Sequence, residues 1–229
     1  MKRTTIYLAA TMLLAAGTAQ AASAAVVIGG AADKGKTYSL DFTGQINGDA
    51  EERISNTLDL TFTNLSADGK TYSFSYSFTN TSDIEARLRS FGFNVVGGKV
   101  TGAVGSGTFR SASTWITFPE GVGKLDLCFK TTQSGSCTGG NGGLTQGQTG
   151  TGAFSFTLAA PASTLTLDDF TTRFQTINGG GYREASGIGI GVQAAVPEPS
   201  TWLTLILGFA AIGGMMRRNT GQNLRVRFT

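Results

Sequence analysis

The stretch Thr71-Tyr72-Ser73-Phe74-Ser75-Tyr76-Ser77-Phe78-Thr79 sets the fold class. Aromatic and hydroxyl side chains alternate along it without a break. A β-strand sends successive side chains to opposite faces, whereas a helix would spread these rings around its whole circumference. The segment is therefore a strand with one aromatic and one hydroxylated face. Upstream, Leu58, Leu60 and Phe62 alternate in the same way with Asp59, Thr61 and Thr63, and Ser66-Ala67-Asp68-Gly69 supplies turn chemistry between the two runs. Residues 57–79 are predicted to form an antiparallel hairpin that buries its apolar face. The stripe Tyr72, Phe74, Tyr76 and Phe78 is expected in the core, because phenylalanine is among the residues most often buried. Facing water, the same stripe would be a stacking platform for sugars.

The pattern continues in both directions. Ala25 to Gly30 has the makings of a short edge strand, Ala31 to Gly35 a turn, and Tyr38, Leu40 and Phe42 alternate again. Downstream, the charged link Asp83 to Arg89 has room for one helical turn. Phe91, Phe93 and Val95 then resume the alternation until Gly97-Gly98 breaks it. Trp115 to Phe118 and Leu125 to Phe129 read as strands joined across Pro119-Glu120-Gly121, with Cys128 on the face opposite Leu127 and Phe129. From Gly135 to Gly152 only Leu144 is apolar, so this segment is expected to be a mobile loop. Phe154, Phe156 and Leu158, then Leu165 and Leu167, Phe170 to Ile177, and Ile188 to Val192 supply the last strands. About ten short strands with no long helix between them predict an all-β fold, an antiparallel two-layer β-sandwich.

Glycine contributes 33 residues and charged residues only 14%, which suits an exported all-β domain. Lys2-Arg3, an apolar stretch from Ile6 to Ala16, and the small residues of Ala19-Gln20-Ala21 and Ala22-Ser23-Ala24 have the layout of a secretory signal peptide. Residues 1–21 are assigned to it, with cleavage after residue 21 or 24, and 25–193 to one β-domain. Six of the basic residues lie in the terminal segments, and between Ala22 and Pro199 the net charge is −3, against phosphate-backbone binding and nucleic acid as a partner. Cys128 and Cys137, the two cysteines, both lie in the part expected to reach an oxidising compartment, so they are predicted to form a disulfide.

Residues 196–229 have a different character. Val196-Pro197-Glu198-Pro199-Ser200-Thr201 is followed by fifteen uncharged residues from Trp202 to Met216 and then by Arg217-Arg218. Two prolines hold the first part extended. An apolar helix over 202–216, with an interfacial tryptophan at one end and arginines at the other, reads as a transmembrane anchor. At 1.5 Å per residue it reaches about 22 Å, short of a hydrocarbon core of about 30 Å, so the bilayer thins or the arginines snorkel. Arg217, Arg218, Arg225 and Arg227 place its C-terminal side in the cytoplasm.

Pro197, Glu198, Pro199, Trp202, Gly208, Gly213-Gly214, Arg217 and Arg218 together resemble the PEP-CTERM sorting domain, in the form with Trp three residues after the second proline. Leu203 departs from the alanine that usually follows. The resemblance covers about residues 192–229. It implies a substrate of exosortase, an intramembrane cysteine transpeptidase that recognises the motif and releases or transfers the exported protein. The segment from Leu167 to Ile177, the glycine-rich lead-in and the two-cysteine loop resemble the pattern of many PEP-CTERM proteins, and the two-cysteine loop in particular is similar to a group of them called the cistern family.

Other chemistries find little support. Gly30 to Thr37 satisfies the P-loop pattern, but a strand rather than a helix is expected after it. The glycine spacings at 102, 105 and 107 and at 187, 189 and 191 lack Rossmann context. Glu51-Glu52 and Asp168-Asp169 are the visible carboxylate pairs, yet strand neighbours point to opposite faces, so a glycosidase pair would have to converge from different strands. With no histidine, His-dependent triads and His-ligated metals are excluded. Asn64-Leu65-Ser66 and Asn80-Thr81-Ser82 match a glycosylation sequon by chance.

The expectation is a non-enzymatic bacterial surface or matrix protein with no cofactor. It passes through the inner membrane, is anchored there transiently, and is delivered to the cell surface or extracellular matrix, in association with exopolysaccharide or biofilm. The alternatives are a carbohydrate-binding module and a glycan-active enzyme.

Overall fold

The computed structural model describes residues 24–133, 136–138, 140–193, 206–210 and 213. The signal peptide over 1–21 with the cleavage point after residue 21, and the sorting residues Pro197, Glu198, Pro199, Trp202, Arg217 and Arg218, lie outside the described residues, whereas the alternative cleavage point after Ala24 lies within them. The chain divides into one unit ending at Gln193 and a second from Ala194. Of the second, Ile206–Ala210 and Gly213 are helical, with Ile206, Leu207 and Phe209 exposed. Among the described residues no helix is long and apolar enough to cross a membrane.

The first unit is all-β. Its strands are β1 (Val26–Ile28), β2 (Thr37–Ile46), β3 (Asp49–Leu65), β4 (Thr71–Asn80), β5 (Glu85–Val96), β6 (Val100–Gly105), β7 (Ser111–Phe118), β8 (Gly123–Lys130), β9 (Thr149–Leu158), β10 (Leu165–Gly179) and β11 (Tyr182–Gln193). The hairpin expected over 57–79 is present as β3 and β4, with Leu58 opposite Phe78 and Phe62 opposite Phe74. Its turn uses Gly69 at φ +70°, a backbone conformation that a side chain would strain.

The expected pair of stacked layers is corrected to one antiparallel sheet in the order β6-β9-β4-β3-β2-β11-β10-β5-β8-β7, curled until its end strands β6 and β7 lie beside each other. Across that seam the Trp115 indole N–H donates to the Val100 carbonyl at 3.0 Å. Long strands twist, and bulges between Phe62 and Asn64, Thr43 and Gln45, and Asp168 and Thr171 add bend, so the sheet approaches a barrel rather than splitting in two. The walls meet in a phenylalanine-rich interior: Phe78 and Phe91 have centroids 4.7 Å apart, and Phe129 and Phe154 4.5 Å. Tyr72, Phe74, Tyr76 and Phe78 are all buried there. Outside, hydroxyls pair across strands, as in Thr37 with Thr61 and Thr79 with Thr149.

Two local expectations also change. The link from Asp83 to Arg89 holds no helical turn; β5 begins at Glu85 because Ala86 and Leu88 alternate inward. The segment before β9 is tied down where its one apolar residue falls. Leu144 is buried, exchanges both backbone hydrogen bonds with Leu88 at 2.9 Å, and its carbonyl accepts from the Asn80 side chain. The second amide hydrogen of buried Asn80 goes to Ala86 O, so this sequon asparagine is structural.

The two ends of the barrel meet. β11 and β1 lie one after the other along the same side of β10: Thr171 pairs with Ile190, and Leu167 with Val26. Where they join, the Ala24 N–H donates to the Gly191 carbonyl at 3.1 Å.

Candidate functional site

The hairpin β7–β8 builds up the outer surface of the barrel. Strand β8 pairs with β5 only from Leu127 to Lys130. At Asp126 side chains take over the ladder: Asp126 Oδ2 accepts from Val95 N–H at 2.9 Å, and the Asp126 N–H donates to Asn94 Oδ1 at 3.1 Å. Beyond this point the hairpin leaves the sheet and folds over its outer face. Gly92 makes this possible, since a Cβ there would lie 2.8 Å from Leu125 Cδ1. Phe118, Leu125, Cys128, Cys137 and Ile188 form a small apolar cluster outside the barrel. The hairpin tip is held by Glu120, 2.8 Å from the buried Arg173 guanidinium of β10.

Under the tip is an open groove of about 390 Å³, lined by Gln45, Asn94, Lys124, Asp169, Thr171 and Ile188 among others. Three carboxylates gather at Asn94, which also donates from Nδ2 to Asp169 Oδ2 at 2.9 Å. Asp169 is in the left-handed region, φ +52°, at the β10 bulge. Burial, and then the neighbouring Asp169 and Asp126 charges, push the Asp168 carboxyl above its ordinary value, and its Oδ1 is buried without a hydrogen-bond partner. The groove therefore combines acceptors and amides with an isoleucine wall, which suits a ligand with hydroxyls on one edge and an apolar face on the other. Among the described residues no three Asp, Glu, Cys or His are placed to hold a metal ion.

The other pair, Glu51-Glu52, does not converge with these groups. Glu51 takes two 2.7 Å hydrogen bonds from Arg53, which hold its carboxyl down at about 2, so it stays ionised and has no proton to give near neutrality. Glu52 is exposed. No family model, curated protein or solved structure matches the chain.

The remaining sequence-derived sites resolve simply. Cys128 and Cys137 are bonded, with Cα atoms 6.2 Å apart and both residues buried, and the Ser90 hydroxyl donates to the Cys137 carbonyl at 2.6 Å. At the P-loop pattern, Ala31–Asp33 is a short 3-10 turn, Asp33 takes the Gly29 N–H and pairs with Lys36, and Thr37 opens β2, so no helix N-terminus faces a phosphate. The aromatic stripe is interior, which removes the sugar platform it would have made. Asn94, Asp126 and the pairing of Glu120 with Arg173 belong to no motif of the sequence. Their one signal is polarity out of place: Asp126 stands between Leu125 and Leu127, and Arg173 one residue before Phe174 in an otherwise uncharged run.

Proposed function

We propose that the chain is an exported surface or matrix protein and a substrate of an exosortase-type sorting system. It is held in the inner membrane by residues 202–216 and released after its sorting motif is recognised. The observation that carries this reading is the meeting of the barrel's two ends at Ala24 and Gly191. The described barrel thus begins and ends at the same place along β10. The domain can then fold on the outer side of the membrane while both ends are still inserted. A bonded cysteine pair suits the same compartment, and the exposed Ile206, Leu207 and Phe209 suit a helix that lies in lipid rather than water. Intact-mass measurement of the protein recovered from the cell surface tests the reading. A C-terminus at or before the apolar helix is expected, and a population ending only at Thr229 contradicts it.

The groove favours a second reading for the barrel, binding of extracellular polysaccharide, because amides and carboxylates that match hydroxyls line it beside a largely buried isoleucine wall. Titration with oligosaccharides of the host matrix, followed by chemical shifts of Asn94 and Gln45, tests it. Unmoved signals at saturating sugar contradict it.

A further inference from the structure

We infer that Trp115 is a stacking platform for a sugar ring, and that it continues the groove's binding track onto the outer face of hairpin β7–β8, so that the barrel takes an extended polysaccharide chain. The inference rests on the polysaccharide reading of the groove and adds a subsite to it.

Three observations meet at this residue. Trp115 is 51% exposed, the one exposed aromatic side chain among the described residues of the barrel. Its backbone is left-handed, φ +53°, a conformation that a bulky residue adopts only where its surroundings hold it, and such outliers gather at binding sites. Its N–H is taken up by the Val100 carbonyl at 3.0 Å, which fixes the indole at the seam while half of its surface stays in water. The ring is therefore rigid before anything binds, and stacking on it costs little conformational entropy. The seam bond accounts for the N–H alone.

The surroundings name the partner. Trp115 falls between the pairs Thr114–Leu127 and Ile116–Leu125, hence opposite Asp126, and Thr117 pairs with Lys124. Ile116 and Phe118 turn to the apolar cluster on the sheet, so Trp115, Thr117, Lys124 and Asp126 share the other face of the hairpin. A protein hot spot sits at the centre of a packed, desolvated patch. Here one ring stands beside a hydroxyl, an ammonium and a carboxylate, which match the C–H face and the hydroxyl edge of a sugar. Lys124 also lines the groove, and the diagonal from it to Trp115 across the hairpin is about 7–8 Å. One run of sugar units can thus meet Asn94 and Asp169 in the groove, pass Lys124 and stack on Trp115.

The test titrates sized fragments of the producing cell's matrix polysaccharide into the full-length chain held in lipid nanodiscs. The chain has two tryptophans, so Trp202→Phe leaves Trp115 as the only indole to report by fluorescence, while the Asn94 side-chain amide reports on the groove by chemical shift. Longer fragments should shift Trp115 emission over the concentrations that move Asn94, and disaccharides should move Asn94 alone. By calorimetry, Trp115→Ala should weaken the longer fragments by about tenfold. Trp115→Phe, which keeps a ring but loses the bond to Val100, should retain them, and it serves as the test where the alanine variant does not fold. Trp115 emission that stays still while longer fragments saturate Asn94, or an equal loss of affinity in Trp115→Phe and Trp115→Ala, overturns the inference and leaves the indole as a seam bond. Signals that stay still at both Asn94 and Trp115 overturn the polysaccharide reading itself.

Discussion

Glu120 at the tip of the β7–β8 hairpin and Arg173 in the middle of β10 form an ion pair at 2.8 Å, with the arginine almost fully buried. Arg173 Nε has no partner of its own, so Glu120 carries much of the compensation for a guanidinium taken out of water. Glu120→Gln should therefore destabilise the barrel by about 1.5–3 kcal/mol, the worth of a hydrogen bond to a charged group. Adding Arg173→Leu to Glu120→Gln should recover part of that loss, because the orphaned charge goes with it. Urea midpoints of the two single variants and the double variant measure the coupling; additive losses would mean that the pair is incidental.

Asp168 makes the stability of the fold pH-dependent. Its carboxyl is raised in the folded state, first by burial and then by Asp169 and Asp126, so the fold binds this proton more readily than the unfolded chain does. The ionised form therefore weakens the fold above the folded-state value. The penalty fades as pH falls through that value and is gone below the ordinary carboxylate range. Asp168→Asn should raise the urea midpoint at pH 7, with a gain that shrinks to nothing near pH 3. A constant gain at all pH values would assign the effect to packing instead.

Phe74 has no exposed surface and lies 5.1 Å from the Phe154 ring and 5.3 Å from Phe62. Phe74→Ser should cost about 3 kcal/mol or more, from lost transfer energy plus the cavity left behind. An unchanged midpoint would mean that the stripe contributes nothing to the core.

The Cys128–Cys137 bond closes a short loop at the margin of the outer cluster, and Ser90 holds the second cysteine from below. Loop-closure entropy gives a stabilisation of about 2.5–3 kcal/mol. Reduction, or Cys137→Ser, should lower the urea midpoint accordingly. Non-reducing peptide maps that recover two free thiols would remove the bond.

What was legible in the sequence follows from what local periodicity encodes. Tyr72 to Phe78 could be read because each residue's face depends only on its neighbours, and the same holds for Leu58 to Phe62, which pairs with it through a short turn. Closure of the sheet was not legible. It depends on β2 pairing with β11, far apart in sequence, so that one sheet runs on to bring β6 beside β7, and on bulges such as that at Asp168 whose geometry leaves no periodic mark. Leu144 is the one apolar residue in a polar run, a pattern that predicts a mobile loop, yet a single apolar side chain docks once Asn80 supplies two donors nearby. The groove was hidden for the same reason: Asp126, Asn94 and Asp169 come from three strands, and only the departure of β8 from β5 brings them together.

The sorting claim is tested most directly by altering the motif while leaving the barrel intact. Glu198 is the one charge before the apolar run, and Arg217 and Arg218 follow it, so the motif belongs at the outer boundary of the membrane and the arginines in the cytoplasm. Neither site belongs to the barrel unit. Glu198→Ala, and separately Arg217→Ala with Arg218→Ala, should each leave a full-length precursor in the inner membrane, with the barrel folded and its disulfide formed. Membrane fractionation and blotting with an antibody to the barrel follow both species over time. Accumulation of the precursor in both variants is the predicted result, and trimming and release at the wild-type rate in both would contradict it, leaving a plain tail-anchored surface protein in its place.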